Sequence, residues 1–191
     1  MRGIKLDIRF GILTIGVLGL LVLQAAGALN GINEWVNSRI SLIDTPLMNF
    51  LTAFGGDLFL FSFAALALYL DWREKGRLSL ETASFLLAIF VGLATVGAMK
   101  VLFAEPRPIA YGSGIGSYAF PSGHTFRAAI IAAYGSDRWR KYAPLFWAYA
   151  VGIALTRLLL HVHWLGDVLF SLLFAPWLYL LLKSLLGGRF E

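Results

Sequence analysis

The chain has 191 residues, no cysteine and few charged side chains. The absence of cysteine excludes disulfides, thiol nucleophiles and cysteine-ligated metals, so covalent catalysis would need another side chain. Only 14% of the residues are charged while 59% are hydrophobic, and the mean hydropathy is +0.74. A composition this apolar excludes an ordinary soluble domain. We therefore predict an integral membrane protein.

Apolar runs recur along the whole chain, and a helix needs about 20 apolar residues to cross the hydrocarbon core of a bilayer. We predict an all-α bundle of six spans in a single membrane domain, residues 1–191. The spans are expected at residues 10–29, 57–70, 80–103, 122–134, 143–160 and 165–186. The first should be an uncleaved helix, because its apolar stretch is longer than the core of a usual signal peptide.

Residues 30–56, between the first and second spans, mix apolar and polar side chains. Trp35, Ile40, Leu47 and Phe50 are interleaved with Asn, Ser and Asp residues and with Arg39. This composition is too polar to span a bilayer and too apolar for a free loop. We expect an amphipathic segment that lies at the membrane interface.

The basic residues fall in short groups between the apolar runs, which is a topological pattern and argues against a nucleic-acid partner despite the net charge of +5. Cytoplasmic loops carry the excess of Lys and Arg. A six-span bundle places the following on one side: Arg2, Lys5, Arg9, Arg73, Lys75, Arg77, Arg138, Arg140, Lys141, Lys183 and Arg189. We expect that side, with both termini, to be the cytoplasmic face of a bacterial inner membrane.

His163 and Asp167 are spaced i and i+4 at the start of the sixth span. On a helix this spacing puts both side chains on one face, so the carboxylate can accept a proton from one imidazole nitrogen and fix the tautomer. The other nitrogen is then free to attack, as in the logic of catalytic triads. For the pair considered alone, a structural pair of buried polar groups is the alternative.

Pro121-Ser122-Gly123-His124 opens the fourth span with residues typical of a helix start. The N-terminus of a helix presents unpaired N–H groups and the positive end of the helix dipole. Ser122 and Gly123 could therefore cradle an anion, with His124 facing it as a proton donor. The alternative is an ordinary capped helix with an interfacial histidine.

Three cations accompany these residues near the ends of the third and fifth spans: Lys100, Arg107 and Arg157. Arginine binds phosphate with a bidentate fork and lysine binds it as a point charge. The alternatives for each are extension to the interface or pairing with Glu105 or Asp57.

A fourth cation, Arg127, follows His124 by three residues and should lie on nearly the same helix face, one turn deeper. It could form a structural ion pair with a carboxylate such as Asp57. It could also serve as a second anion contact, for a diphosphate or for a phosphate beside a polar headgroup. Both interpretations remain open.

Together these clusters resemble the signature of the type 2 phosphatidic acid phosphatase family, which is Lys-x6-Arg-Pro, then Pro-Ser-Gly-His, then Ser-Arg-x5-His-x3-Asp. All three parts occur in order between Lys100 and Asp167. Thr156 replaces the signature serine, and His161 stands where relatives often have glycine.

The resemblance implies a metal-independent, cofactor-free lipid phosphatase on a helical membrane bundle. His163 would attack phosphorus to form a phosphohistidine, Asp167 would orient it, and His124 would act as acid and base. The phosphoryl oxygens would be bound by Lys100, Arg107, Ser122, Gly123 and Arg157, with Arg127 as a further substrate contact. The spacing of His161 and His163 does not suit a metal site.

The family's range suggests undecaprenyl diphosphate, phosphatidylglycerol phosphate, phosphatidic acid or the 1-phosphate of lipid A as substrate. The site would face the outer, periplasmic side of the membrane. Two other functions remain open. A lipid phosphotransferase would use the same intermediate, and a non-enzymatic transporter or anion-binding protein would also carry charges inside the membrane.

Overall fold

A computed structural model describes residues 8–110 and 112–190 of the chain, without the side chains of 188–190. These residues form eight α-helices and no strand, which confirms the all-α prediction. The helices are α1 Ile8–Ala25, α2 Asn30–Arg39, α3 Pro46–Ala53, α4 Asp57–Lys75, α5 Leu80–Phe103, α6 Gly123–Arg138, α7 Ala143–Leu159 and α8 Leu165–Phe190. Short 3₁₀ turns at Gly114–Ser117 and Arg140–Tyr142 precede α6 and α7.

The helix α6 lies at the centre of the bundle and packs against α5, α7 and α8. Its small residues, such as Ala128 and Ala132, are fully buried and let the neighbouring helices approach closely. On α5, a Cβ at Gly92 would overlap the ring of Phe126. Glycine is therefore required there for α5 to reach α6, and the start of α6 is fixed among three helices.

The outer surface of the bundle is strongly apolar. Leu58, Phe90 and Leu102 are 85%, 76% and 78% exposed, among many other large hydrophobic side chains. Such a surface favours contact with lipid over contact with water. Within the described residues, five helical segments are long and apolar enough to span a membrane: Ile8–Ala25, Pro46–Lys75, Leu80–Phe103, Arg140–Leu159 and Leu165–Gly187. The protein is an integral membrane protein, as predicted.

The ends of the predicted spans do not all coincide with the ends of the helices. The main difference is at α4, where charged residues extend the helix. The third span matches α5 at both ends, but α4 continues five residues past the predicted end at Leu70. Its last turn is stabilised because the Asp71 carboxylate lies 3.1 Å from the Arg138 guanidinium and 3.5 Å from the Lys75 ammonium. The first span, expected to reach Leu29, ends as α1 at Ala25.

The fourth predicted span corresponds to α6, which has 16 residues and is enclosed by other helices. It is shorter than the roughly 20 residues of a usual span. The count of six spans therefore stays a prediction.

Residues 30–56 fold into the short helices α2 and α3 rather than one continuous amphipathic element. This segment packs onto the ends of α7 and α8. The Ile43 amide donates to the Leu159 carbonyl at 2.9 Å, and the Gly166 amide donates to Asn33 Oδ1 at 2.9 Å. An interfacial position stays a prediction, while the contacts show that the segment packs against the helix ends that carry Arg157 and Asp167.

Charged side chains collect at the end of the bundle where α4 finishes and α5 starts. Ion pairs join the carboxylates of Asp71, Glu74, Glu81 and Asp137 to Arg138 and Lys183. We call these six residues the paired-charge end. Of the basic residues used to predict orientation, Arg2 and Lys5 lie outside the described residues, as does the side chain of Arg189.

Candidate active site

The three sequence motifs meet at the other end of the bundle. Lys100 lies in the last turn of α5, Arg157 in the last turn of α7, and Asp167 in the first turn of α8. The loop after α5 is fastened to the start of α8 because Trp164 Nε1 donates to the Pro106 carbonyl at 2.8 Å. The predicted residues Lys100, Arg107, Ser122, Gly123, His124, Arg157, His163 and Asp167 together form what we call the motif end.

His163 and Asp167 form a buried pair. His163 is 2% exposed and Asp167 is completely buried. His163 Nδ1 lies 3.0 Å from Asp167 Oδ2, which also accepts a hydrogen bond from the Trp164 amide at 2.9 Å. An ionised carboxylate only accepts, so this contact places the imidazole proton on Nδ1 and leaves the lone pair on Nε2.

Arg107 lies against that second nitrogen, with its Nη1 atom 3.1 Å from His163 Nε2. Its Nε and Nη2 atoms donate to the Gly116 carbonyl at 3.1 and 2.8 Å. Nη1 also donates to the Val162 carbonyl. These carbonyls fix the guanidinium, so an anion bound by Arg107 would lie beside the nucleophilic nitrogen.

The environment keeps the His163 imidazole neutral. Its pKa lies well below the ordinary value of 6.5, first because burial penalises the charged form and next because Arg107 and Arg157 place positive charge close by. A neutral imidazole retains the lone pair that nucleophilic attack requires.

Lys100 and Arg157 are both buried, at 8% and 1% exposure. Lys100 Nζ donates to the carbonyls of Tyr118 and Ala119 at 2.5 and 3.2 Å. Arg157 Nη1 donates to Thr52 Oγ1 at 2.8 Å. The carbonyl oxygens hold the Lys100 ammonium without cancelling its charge, which favours an anion beside it.

The start of α6 has two open amides. Ser122 is the N-cap, since its Oγ accepts from the Thr125 amide at 3.4 Å and its carbonyl accepts from the Phe126 amide at 2.9 Å. The Ser122 amide donates to the Asp167 carbonyl at 3.3 Å. No acceptor within residues 8–110 and 112–190 reaches the amides of Gly123 or His124. Ser122 thus positions the turn, while the next two N–H groups can bind an anion.

Arg127 forms the ion pair that the sequence offered as one alternative. Its Nε and Nη2 atoms both lie 2.6 Å from Asp57 Oδ1. Its Nη1 atom is nevertheless 2.8 Å from the position that a Cβ on Gly123 would occupy. Arg127 therefore lies between an exposed carboxylate and the open amides of α6.

Two residues of the site were missed by the sequence motifs. Thr52 belongs to α3, in the segment expected at the interface, and no signal marked it as a partner of Arg157. Glu105 was considered only as a partner for a cation. Glu105 Oε2 and Asp167 Oδ1 are both buried, and no N–H or O–H group of the described residues reaches either atom.

The two departures from the family signature are accommodated locally. Thr156 keeps the hydroxyl, which donates to the Ile153 carbonyl at 2.7 Å and lies 3.0 Å from Thr52 Oγ1. His161 has a φ of 51°, in the left-handed region that glycine adopts at least cost. Its Nε2 atom lies 3.0 Å from the Ile40 carbonyl, which ties this turn to the segment after α2.

The fold and site define a class of protein, namely an α-helical membrane protein with a buried cationic site around a histidine and an aspartate. Residues 81–189, more than half of the chain, match the PAP2 superfamily. The protein belongs to this superfamily, and the resemblance seen in the sequence is confirmed.

A solved structure gives an independent comparison of the fold. The chain is similar to the crystal structure described as the first transmembrane PAP2 type phosphatidylglycerolphosphate phosphatase, from Bacillus subtilis, with a TM-score of 0.74 and 21% sequence identity. The match spans 93% of this chain and 98% of the other. At this identity the likeness shows a shared transmembrane fold, which includes the first half of the chain.

Proposed function

We propose that this PAP2 protein is a metal-independent lipid phosphatase that uses a phosphohistidine intermediate. The observation that carries the proposal is the position of His163. One of its nitrogens contacts Asp167 and the other contacts Arg107, at 3.0 and 3.1 Å. Lys100, Arg157 and the open amides of α6 belong to the same end of the bundle. This arrangement supports a neutral nucleophile beside a binding site for phosphate. We call that site, formed by Arg107, Lys100, Arg157 and the open amides of α6, the phosphate cradle.

The first half of the reaction breaks the bond between phosphorus and the lipid oxygen. The phosphate would bind to Arg107, Lys100 and Arg157, which offset the charge on its oxygens. His163 Nε2 forms a bond to phosphorus as the lipid oxygen departs, and His124 donates its proton to that oxygen. The bound phosphate favours protonation of His124, because a nearby negative charge stabilises the imidazolium.

The second half restores the enzyme. A water molecule attacks phosphorus while His124 takes one of its protons, and the bond between nitrogen and phosphorus breaks. Inorganic phosphate leaves, and His163 returns to its neutral form with its proton on Nδ1. Asp167 stabilises the positive charge on His163 between the two steps.

No metal is required in this scheme, because the phosphoryl oxygens are bound by cations of the protein. The described residues contain no group of three His, Cys, Asp or Glu side chains placed to hold a metal ion. We expect turnover to persist in excess EDTA. Strong loss that Mg²⁺ or Zn²⁺ restores would contradict the mechanism.

The substrate class follows from the setting. A site at the end of a membrane bundle whose surface is apolar is reached most easily by an amphiphile. We propose a lipid with a terminal phosphate or diphosphate, such as undecaprenyl diphosphate, phosphatidylglycerol phosphate, phosphatidic acid or the 1-phosphate of lipid A.

The test is release of inorganic phosphate from this panel by the purified protein in detergent, with His163→Ala as the matched control. Release by the wild type alone supports a hydrolase. Transfer of label to a second lipid without release of phosphate would establish a phosphotransferase, and binding without turnover would establish an anion-binding protein or transporter.

We further propose that the motif end faces the periplasm of a bacterial inner membrane and that the paired-charge end, with both termini, faces the cytoplasm. The excess of Lys and Arg at the paired-charge end supports this orientation. Cysteines introduced singly at Ser113 and at Leu78, both exposed, report on the two faces of this cysteine-free chain. An impermeant thiol reagent should label Ser113→Cys in spheroplasts and spare Leu78→Cys, and the reverse pattern would invert the orientation.

A further inference from the structure

A second polar cavity lies far from the motif end. It occupies about 680 Å³ between α1, the end of α6, the start of α7 and the middle of α8. The residues of α6 that line this cavity, Ala133, Ser136 and Asp137, follow Gly123 by 10 to 14 positions, so the cavity is about 15 to 21 Å from the open amides at the other end of that helix. It therefore cannot share a ligand with the phosphate cradle.

The lining of this cavity is divided into two parts. Arg9, Arg140 and Ser136 supply polar groups, whereas Leu13, Trp147 and Leu180 supply apolar and aromatic surface. A cavity with cationic groups beside apolar ones matches a molecule that has an anionic head and a hydrocarbon tail. Basic pockets between transmembrane helices bind the headgroups of anionic lipids in this way.

One polar group of the lining lacks a partner among the described residues. The Ser136 hydroxyl is buried, and no hydrogen-bonding group of residues 8–110 or 112–190 reaches it. Arg140 is exposed at the rim of the cavity. A buried hydroxyl without a partner is costly, so it indicates a ligand or water in the cavity.

The one carboxylate in the lining does not oppose an anion strongly. Asp137 Oδ2 accepts a hydrogen bond from the Tyr179 hydroxyl at 2.6 Å and another from Lys183 Nζ at 2.5 Å. Lys183 lies 2.5 Å from Asp137 and 3.2 Å from Glu81, so it offsets part of the charge of Asp137. Arg140 adds a positive charge to the lining and favours a negatively charged group there.

We propose that this cavity binds an anionic glycerophospholipid, with its phosphodiester at Arg140 and Ser136 and an acyl chain along Leu13 and Trp147. The site is separate from the catalytic one, so the lipid is a bound structural or regulatory molecule and not a substrate. The proposal does not depend on which lipid phosphate the motif end hydrolyses.

Native mass spectrometry of the protein in a neutral detergent tests the proposal, with His163→Ala as the parent so that turnover does not interfere. Titration with phosphatidylglycerol should show one retained lipid, and phosphatidylcholine should not replace it. Arg140→Gln should weaken phosphatidylglycerol binding about fivefold to tenfold, as expected for the loss of one cation near an anionic headgroup. Ser136→Ala, which is a milder change, should weaken it by a smaller factor.

Arg73→Gln is the matched control, because Arg73 is an exposed cation at the end of α4 that does not line the cavity. It should bind phosphatidylglycerol as the parent does. Equal losses in Arg140→Gln and Arg73→Gln would reduce the effect to general surface charge and overturn the proposal. Equal binding of phosphatidylcholine, or displacement of the lipid by inorganic phosphate at the same concentration, would overturn it as well.

Discussion

Charged side chains are buried at both ends of the bundle, but their partners differ. At the paired-charge end, Arg138 contacts Asp71 and Glu74 at 3.1 and 2.6 Å. At the motif end, Lys100 donates instead to two backbone carbonyls. Cations paired with carboxylates hold helices together, whereas cations held by neutral groups keep a positive field for an anion.

The two ends also differ in what their aspartates contact. Asp137 belongs to the paired-charge end, and Asp167 belongs to the motif end. Asp137 accepts from a tyrosine and a lysine and so joins α6 to α8. Asp167 accepts from His163, whose other nitrogen faces Arg107. Asp137 therefore joins two helices, whereas Asp167 orients the imidazole of His163.

The largest effect should come from His163, the residue on which the contrast between the ends depends. We expect His163→Ala to lower kcat for a lipid phosphate by about ten-thousandfold, because it removes the nucleophile. His161→Ala is the control two residues away and should keep most of the activity. Release of inorganic phosphate measures both. Substantial turnover by His163→Ala would assign the nucleophile to another residue.

The next largest effect should be a difference in kcat between variants of the two aspartates. Asp167→Asn should lower kcat by about a thousandfold, since an amide cannot hold the imidazole in the correct tautomer or stabilise its positive charge. Asp137→Asn should leave kcat within about threefold and lower the melting temperature, because it weakens a contact of the scaffold. Similar losses of activity in the two variants would erase the distinction between the ends.

Arg138→Ala should lower the stability of the protein and leave its activity unchanged, whereas the variants of motif residues should lower activity. Asp71 is buried, with 1% of its side chain exposed, so removal of Arg138 leaves Lys75, at 3.5 Å, as the cation that offsets its charge. We expect a loss of about 3 kcal/mol in the free energy of unfolding, measured by denaturant titration in detergent, with kcat retained among the folded molecules. Arg73→Ala, at an exposed site, should change it by less than about 0.5 kcal/mol. An unchanged stability for Arg138→Ala would contradict a structural role for the paired-charge end.

Arg127 lies between the two categories, because it pairs with Asp57 and also approaches Gly123. We expect Arg127→Ala to lower kcat/KM for a lipid diphosphate by an equivalent of about 1 to 3 kcal/mol and to spare the matching monophosphate. Asp57→Asn, which breaks the same exposed ion pair, should change stability by less than about 1 kcal/mol. Equal losses on both substrates would leave Arg127 as a scaffold residue.

The fold class could be predicted from the apolar composition of the sequence. Residues close in the chain could be placed together as well, because their spacing determines which side chains share a helix face. His163 and Asp167 are four residues apart, so a helix start was enough to make them neighbours. The helix start at Ser122 was likewise predicted from local residue types. The helix α4 continues past Leu70, the predicted end of the second span, where Asp71 pairs with Arg138 and with Lys75.

Contacts between segments far apart in the chain could not be predicted in this way. Thr52 meets Arg157 across 105 positions, and the Asn33 side chain meets the start of α8 across 133. No local pattern encodes such distances. The first half of the chain was expected to supply spans, an interfacial segment and, in Asp57, a possible partner for a cation, and no pattern in it indicated that Thr52 would bind Arg157.

The most direct test of the account is to trap the phosphorylated enzyme. Wild type, His124→Ala and His163→Ala should be mixed with a lipid that carries a radiolabelled terminal phosphate, quenched with detergent and separated by gel electrophoresis. We predict acid-labile, base-stable label on the wild type and on His124→Ala, where both formation and hydrolysis of the intermediate are slowed, and none on His163→Ala. Label that persists on His163→Ala, or label that is stable to acid, would contradict a phosphohistidine at the motif end.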